Sequence, residues 1–286
     1  MTTKSAAEQV SASVWRLPLA SDTLPPFDTT NTYIIADGGV AAVVDPGFRD
    51  EAGMAGLESA LSALGVRFLK SVLLTHTHPD HVAGVAPVLS RYGSPAVYTH
   101  PRELPRLRPG LPSVKALTGG RTLMIGDLAV TALHTPGHSP GHLSFHVGSE
   151  EVVLAGDLVA QGSSVWVGLP EGNVSHYLDS LDLLMNLPRL RFLGPGHGEV
   201  IDRPYRHLTD ARAHRLAREE QLLMGLGGRG RQLSLGQLVG AIYEVLNAEL
   251  VESAKATLLA HLSKLMQEMR VLHLGEDIEG PYAIRR

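Results

Sequence analysis

No cysteine occurs anywhere in this chain. Its absence excludes disulfides, thiolate nucleophiles and Cys-based zinc sites, so any metal must sit on nitrogen and oxygen donors. Charge of one sign is scarce too: a net charge of −4 is spread over 286 residues without a long run, and nothing announces nucleic acid or an anionic membrane as partner. No stretch of about 18 apolar residues is present to span a bilayer, and the N-terminal MTTKSAAEQVSASVWRL lacks the apolar core of a signal peptide. The expectation is a cytoplasmic protein with no membrane partner. Hydrophobic residues at 44% and charged residues at 19% match a globular chain rather than a disordered one.

Short β-branched and apolar runs recur at 32–36, 40–44, 68–74, 96–99, 128–134, 143–147 and 151–155, and these read as strands. Helix-period segments lie between some of them, notably 50–64, 81–91 and 174–186. Strands that come partly in consecutive groups and partly alternate with helices predict an α/β architecture of mixed sheets covered by helices. The Pro-rich segment 101–116 reads as an irregular surface loop. After about residue 203 strand signals give way to helical patterns near 205–225, 234–247 and 250–270 and then a short β-like tail. That order is a winged helix, with Gly225, Gly227, Gly228 and Gly230 as a flexible joint inside it. The division expected is a catalytic domain over 1–203 and a winged-helix-like domain over 204–286.

The run Thr75-His76-Thr77-His78-Pro79-Asp80-His81 follows the buried strand 68–74 directly. Residues two apart on an extended strand end share a side, so His76 and His78 can converge on one ion. Pro79 breaks the strand and Asp80 is placed to cap the helix that follows, which leaves Asp80 and His81 at a turn facing a second ion. Further isolated ligand types then recur at strand-ending turns. His138 sits in TPGHSPGH after the strand 128–134, and two prolines with two glycines forbid a helical His138/His142 pair there. His138 is therefore preferred over His134 and His142, whose plainer reading is ordinary strand or supporting histidine. Asp157 follows Ala155-Gly156 at a strand end, where a carboxylate with two oxygens can bridge two cations, and His197 ends the short strand 190–193 in GPGHG. Five His and two Asp with no Cys suit Zn²⁺ first, with Mn²⁺ or Fe²⁺ as alternatives. Asp45, in VVDPG, is expected to orient a ligand histidine through hydrogen bonding, a turn-capping role being the plain alternative.

These residues resemble the metallo-β-lactamase-like superfamily, whose signature is a THxHxDH run followed by separate His, Asp and His ligands in that order. The resemblance implies an αββα sandwich, with His76, His78 and His138 on a first metal, Asp80, His81 and His197 on a second, and Asp157 bridging. Within the superfamily the chain is most similar to the lactamase-beta-2-like subgroup, through NTYIIADGGVAAVVDPG (31–47), GDLVAQGSSV (156–165), SHYLDSLDLL (175–184) and PGHGEVI (195–201) ahead of a winged-helix tail. An animal member of that subgroup is a single-strand endoribonuclease, while bacterial relatives carry hydrolase or glyoxalase II-like descriptions, so family alone leaves the substrate open.

Implied with the fold is hydrolysis by hydroxide made available between two cations, with Asp80 positioning the water. A small ester, thioester or related acyl compound is the expected substrate, and Tyr177 and His176 on 174–186 are candidate substrate contacts. RNA is the rival partner. The tail from residue 205 holds 11 Lys and Arg against 10 Asp and Glu, whereas phosphate neutralisation calls for a visibly basic module. Arg102, Arg106, Arg108 and Lys115 still offer a local patch, and the winged helix is read as a homodimer contact or a wall of the active site. A non-catalytic metal-binding regulator fits less well, because a closed structural zinc needs four ligands and seven candidates are present. Oxidation at a single iron fits less well again, since Asp80, His81 and His197 supply a second ligand set.

Overall fold

The computed structural model describes residues 7–107, 111, 114–227, 231–243 and 246–285. They pack as two compact units: residues up to Thr135 with Gly141–Val165 and Met185–His207, and Pro136–Pro140 with Trp166–Leu184 and the residues from Leu208 onward.

In the first unit a seven-stranded sheet runs in chain order: β1 (Glu8–Ser11), β2 (Val14–Ala20), β3 (Thr29–Asp37), β4 (Val40–Val44), β5 (Phe68–Leu73), β6 (Ala96–Thr99) and β7 (Lys115–Ala116). The first four strands are antiparallel, and from β4 onward neighbours are parallel. Parallel neighbours need a crossover, supplied between β4 and β5 by α1 (Glu51–Ala63), and between β5 and β6 by α2 (Pro79–Val82) and α3 (Val85–Arg91). Asp50 fixes the start of α1 by accepting from Gly53 N at 3.0 Å.

A second sheet has the order β12-β11-β10-β9-β8, built from β8 (Thr122–Ile125), β9 (Leu128–His134), β10 (Leu143–Val147), β11 (Val152–Gly156) and β12 (Phe192–Pro195), with only β11 and β12 parallel. Side-chain alternation divides the core in two. Ala41 and Val43 of β4 pack with Leu57 and Leu61 of α1 and Val85 and Val88 of α3, while Ala42 and Val44 pack with Val130, Phe145 and Leu154 of the second sheet. A strand buried on both faces reads as a continuous apolar run, and VAAVV is such a run. Two mixed sheets with helices over them confirm the α/β sandwich expected.

Several local expectations need correction. The 81–91 pattern is not one helix: Gly84 N donates to Pro46 O at 2.7 Å, and the chain breaks there into α2 and α3. Asp80 does not cap. His78 is the N-cap residue and Pro79 the first helical residue of α2, where a missing N–H costs nothing. Strand β2 is not among the strands expected from sequence because Pro18 interrupts it. Pro18 pairs with Asn31 of β3, and proline supplies no N–H to the ladder at its position.

In the second unit most of α5 (Pro204–Leu226) is followed by α6 (Leu235–Ile242), α7 (Val251–Gln267) and the hairpin β13 (Val271–His273)–β14 (Tyr282–Ile284). Ser234 and Gln237 form a reciprocal capping box that starts α6. Leu222, Leu235, Leu238, Leu258, Leu262, Leu265, Val271 and Tyr282 make the core of this winged helix. Gly225 lies inside α5 rather than in a joint and Gly227 follows its end, whereas Gly228 and Gly230 fall outside the described residues. Among the described residues no helix is long and apolar enough to cross a membrane.

Candidate metal centre

The candidate ligands of the first unit gather where strands end. Asp45 follows β4, His76 and His78 follow β5, Asp80 and His81 lie on α2, Asp157 follows β11 and His197 follows β12. These are C-terminal ends of parallel strands, the usual place for ligands in layered α/β folds.

Four separations define the centre. His81 Nε2 lies 3.3 Å from Asp157 Oδ1 and 3.9 Å from Asp80 Oδ2, and His197 Nε2 lies 3.4 Å from Asp80 Oδ2 and 3.5 Å from Asp157 Oδ1. Donors about 2.1 Å from a tetrahedral ion stand about 3.4 Å from one another, and three of these four separations lie within about 0.1 Å of that value. Asp80, His81 and His197 together can hold one ion.

The far side of each imidazole supports the same reading. His81 Nδ1 donates to Asp45 Oδ2 at 2.9 Å and His197 Nδ1 donates to Thr29 O at 2.9 Å. Thr75 Oγ1 donates to Asp45 Oδ2 at 2.6 Å and so accepts from His76 Nδ1 at 3.0 Å. In the second unit, His138 Nδ1 donates to Trp166 O at 2.7 Å. A proton on Nδ1 leaves the Nε2 lone pair as the metal-binding site. Asp45 also accepts from Thr75 N at 2.8 Å. Both of its oxygens are engaged in this way, and Asp45 also groups with His76 and His81 within ligand distance.

Electrostatics follow from the packing. Burial opposes the charge on Asp80, yet hydrogen bonding from His197 and the charge of His81 hold its pKa down at about 2. Burial also opposes charge on His197, but Asp157 and Asp80 raise it to about 9. His81 is raised well above its ordinary value and Asp157 lowered well below its own, each by the other's charge acting against burial.

The His197 turn is clamped by residues that the sequence did not single out. Asn31 Nδ2 donates to Pro195 O at 2.9 Å and Gly198 O at 2.7 Å, Tyr33 O–H donates to Pro195 O at 2.9 Å, and Arg16 Nη1 donates to Gly198 O at 2.8 Å. Phe27 stacks on the His197 ring at 5.3 Å, and Leu24 beside it is 77% exposed. An apolar loop therefore borders the centre. Thr75 tightens it from below: a Cβ on Gly156 would meet Thr75 Oγ1 and His142 Nε2, so only glycine fits before Asp157.

Of the other candidates, His142 lies beside the centre, its ring 5.5 Å from that of His76. His142 is buried with Nδ1 2.9 Å from Thr135 Oγ1, and His134 stacks face to face on His100 at 4.2 Å. His176 is exposed on α4 (Val174–Met185), its backbone N–H capped by Asn173. Tyr177 is buried, with the Arg215 guanidinium 4.9 Å over its ring and Gly137 packed against its Cα. Burial raises its hydroxyl pKa. Arg102, Arg106 and Lys115 are exposed, and Arg108 lies outside the described residues.

Gly47 offers a direct test of how tightly the centre is built. A Cβ there would sit on the Asp80 carbonyl and crowd His81 Cα. Gly47→Ala is expected to cost about 2 to 3 kcal/mol through overpacking, seen as a lower urea midpoint at unchanged slope, together with weaker metal retention on dialysis.

Residues 25–197 match the family model described as metallo-beta-lactamase superfamily, and residues 234–279 match the beta-lactamase associated winged helix domain. The chain is 29% identical over 232 residues to an atrochrysone carboxyl ACP thioesterase of Aspergillus fumigatus, covering 78% of this chain and 67% of that protein. It is 26% identical over 278 residues to a beta-lactamase-like protein 2 homolog of Drosophila melanogaster, covering 92% and 91%. Among solved structures, a metallo-beta-lactamase family protein from Thermus thermophilus superimposes with a TM-score of 0.78 at 27% identity, covering 97% of this chain and all of that one.

Proposed function

Because this chain belongs to the metallo-beta-lactamase superfamily, we propose that it is a metal-dependent hydrolase acting on acyl thioesters or related small esters. The observation that carries the reading is the donor set Asp80, His81, Asp157 and His197, at coordination-edge separations, with the outer nitrogen of each histidine held by a protein acceptor. In the proposal these residues would hold one divalent ion, His76, His78 and His138 would hold another, and the Asp157 carboxylate would be available to both. Zinc is the first choice for all-N,O ligands, and Mn²⁺ or Fe²⁺ are alternatives. The catalytic domain is taken as 1–203 and the winged helix as 204–286, a division supported by family matches ending at 197 and starting at 234.

When bound, such cations lower the pKa of water toward neutrality and stabilise negative charge developing on the substrate oxygen. The chain's own residues do the rest. Asp80, a carboxylate at neutral pH, accepts a hydrogen bond from the attacking water and orients it. Asp45, through His81 Nδ1, fixes the ring that lies against Asp80 and Asp157. The Leu24–Phe27 loop offers apolar surface for an acyl chain. Attack on the acyl carbon breaks the carbon–sulfur or carbon–oxygen bond and releases acid plus thiol or alcohol. The thioesterase description of the A. fumigatus relative supports this substrate class.

An RNA substrate is less well supported. The wing between β13 and β14 carries Glu276, Asp277 and Glu279, and such a loop repels a phosphate backbone.

The test loads the chain with Zn²⁺, Mn²⁺ or Fe²⁺ and offers acyl thioesters, lactones, bis(p-nitrophenyl) phosphate and single-stranded RNA. Thioester or ester hydrolysis is expected to exceed the phosphodiesters in kcat/KM by at least about tenfold, and to vanish with chelator and in His81→Ala. Cleavage of RNA alone, lost in His78→Ala, would overturn the substrate assignment.

A further inference from the structure

The segment after β6 carries Glu103, a carboxylate that is only 1% exposed and has no part in the mechanism above. Burying a carboxylate is costly unless its oxygens are satisfied, and Glu103 divides them between two places. Oε2 accepts from Thr77 Oγ1 at 2.7 Å, and Oε1 accepts from Gly141 N at 2.8 Å with Arg106 Nη1 at 3.7 Å. Thr77 stands between the candidate ligands His76 and His78, and Gly141 leads into β10, whose first residue donates from Leu143 N to Thr75 O at 2.7 Å. Contact at Gly141 is close enough that a Cβ there would strike Glu103 Cγ and Oε1.

We infer that Glu103 is a positioning residue: it ties the His76–His78 run to the turn entering β10, and so sets the affinity of the ion those two histidines hold. The inference rests on the metal reading proposed above. Physically, an isolated strand end fixes its backbone on one side only, and a threonine hydroxyl anchored at 2.7 Å removes rotation of the peptide that carries both imidazoles. Groups that act through a ligand in this way change metal affinity by about 10- to 100-fold.

Co²⁺ titration of the full chain, followed by visible d–d absorption, reads this directly, with thermal unfolding of each variant alongside. Glu103→Gln keeps both ties, because its amide oxygen can accept from Gly141 N while its NH₂ donates to Thr77 Oγ1. It is expected to bind two Co²⁺ with the parental spectrum, within about threefold in affinity. Glu103→Ala is expected to weaken one of the two sites by at least about tenfold and to alter its d–d band while the other site is unchanged. Thr77→Val, which deletes the same tie at nearly constant volume, is expected to do likewise and serves if Glu103→Ala fails to fold. A merely structural role would lower the melting temperature in these variants and leave spectrum and affinity parental, and that outcome overturns the inference. A parent chain that takes up no Co²⁺ would instead refute the proposed function.

Discussion

Asp157→Asn is expected to lower hydrolysis of the best acyl substrate by about 10²- to 10³-fold, and to leave fewer than two ions per chain after dialysis. The exchange is nearly isosteric, so what it removes is a negative charge. In the native arrangement Asp157 Oδ1 faces His81 Nε2 at 3.3 Å and His197 Nε2 at 3.5 Å from a largely buried position, its side chain 13% exposed, and its pKa lies well below the ordinary carboxylate value. Removing one partner of a buried charge set costs about 3 to 5 kcal/mol, and each 1.4 kcal/mol is about a factor of ten. The asparagine can still offer its carbonyl oxygen to one ion, but its amide nitrogen repels a second. Metal analysis beside turnover checks this. A variant with two ions and parental rate would show that Asp157 is not shared between them. His142→Ala, near the same strand end but with Nδ1 on Thr135 Oγ1, is expected to lower activity much less.

The grouping of these candidate ligands is legible in sequence because they follow strands that announce themselves. The runs VAAVV, FLKSVLL and EVVLA are rich in apolar and β-branched residues, and a His or Asp within two positions after such a run lands at a strand end. What the sequence does not reveal depends on partners far along the chain. The break at Gly84 is caused by Pro46 O, 38 residues earlier in the sequence, and periodicity within 81–91 contains no trace of it. Asp80 has the sequence context of a helix cap, yet its oxygen lies 3.4 Å from His197 Nε2, and no local rule supplies that partner. Glu103 sits in a Pro-rich stretch that reads as surface loop, and its burial follows from Thr77 and Gly141 closing over it. Asn31 is another such case: a polar residue on a strand, whose amide bonds Pro195 O and Gly198 O. For Asp80, Glu103 and Asn31 alike, a polar residue in an unpromising local setting meets a backbone or side-chain group more than 25 positions away. Buried polar groups at the ends of apolar strands therefore mark the support of this site better than their immediate neighbours do.

The metal-free chain is expected to lose stability as pH rises from about 7 to 10, and the metal-loaded chain to lose much less. His197 has a folded pKa of about 9, because Asp157 and Asp80 outweigh the burial that works against its charge. Its unfolded value is about 6.5. Between those values the folded state holds more protons than the unfolded chain, so stability falls with rising pH. The contribution is complete below about pH 6.5 and is lost through pH 9; for His197 alone it is worth about 3 kcal/mol. His81 acts in the same direction, being raised by Asp157 and Asp45. Asp80 and Asp157 act in the opposite limb. Their depressed values contribute above about pH 3.9, and for Asp80 that contribution disappears as pH falls through about 2. Divalent ions take the place of the imidazolium protons, so binding at pH 7.5 is expected to release protons from both His81 and His197. Calorimetric titration in buffers of different ionisation enthalpy counts those protons, and melting curves at pH 7, 8.5 and 10 with and without Zn²⁺ follow the stability. A metal-free melting temperature that rises over this range, or binding with no proton release, would mean that the two imidazoles are neutral before the ion arrives and that their carboxylate neighbours do not govern them.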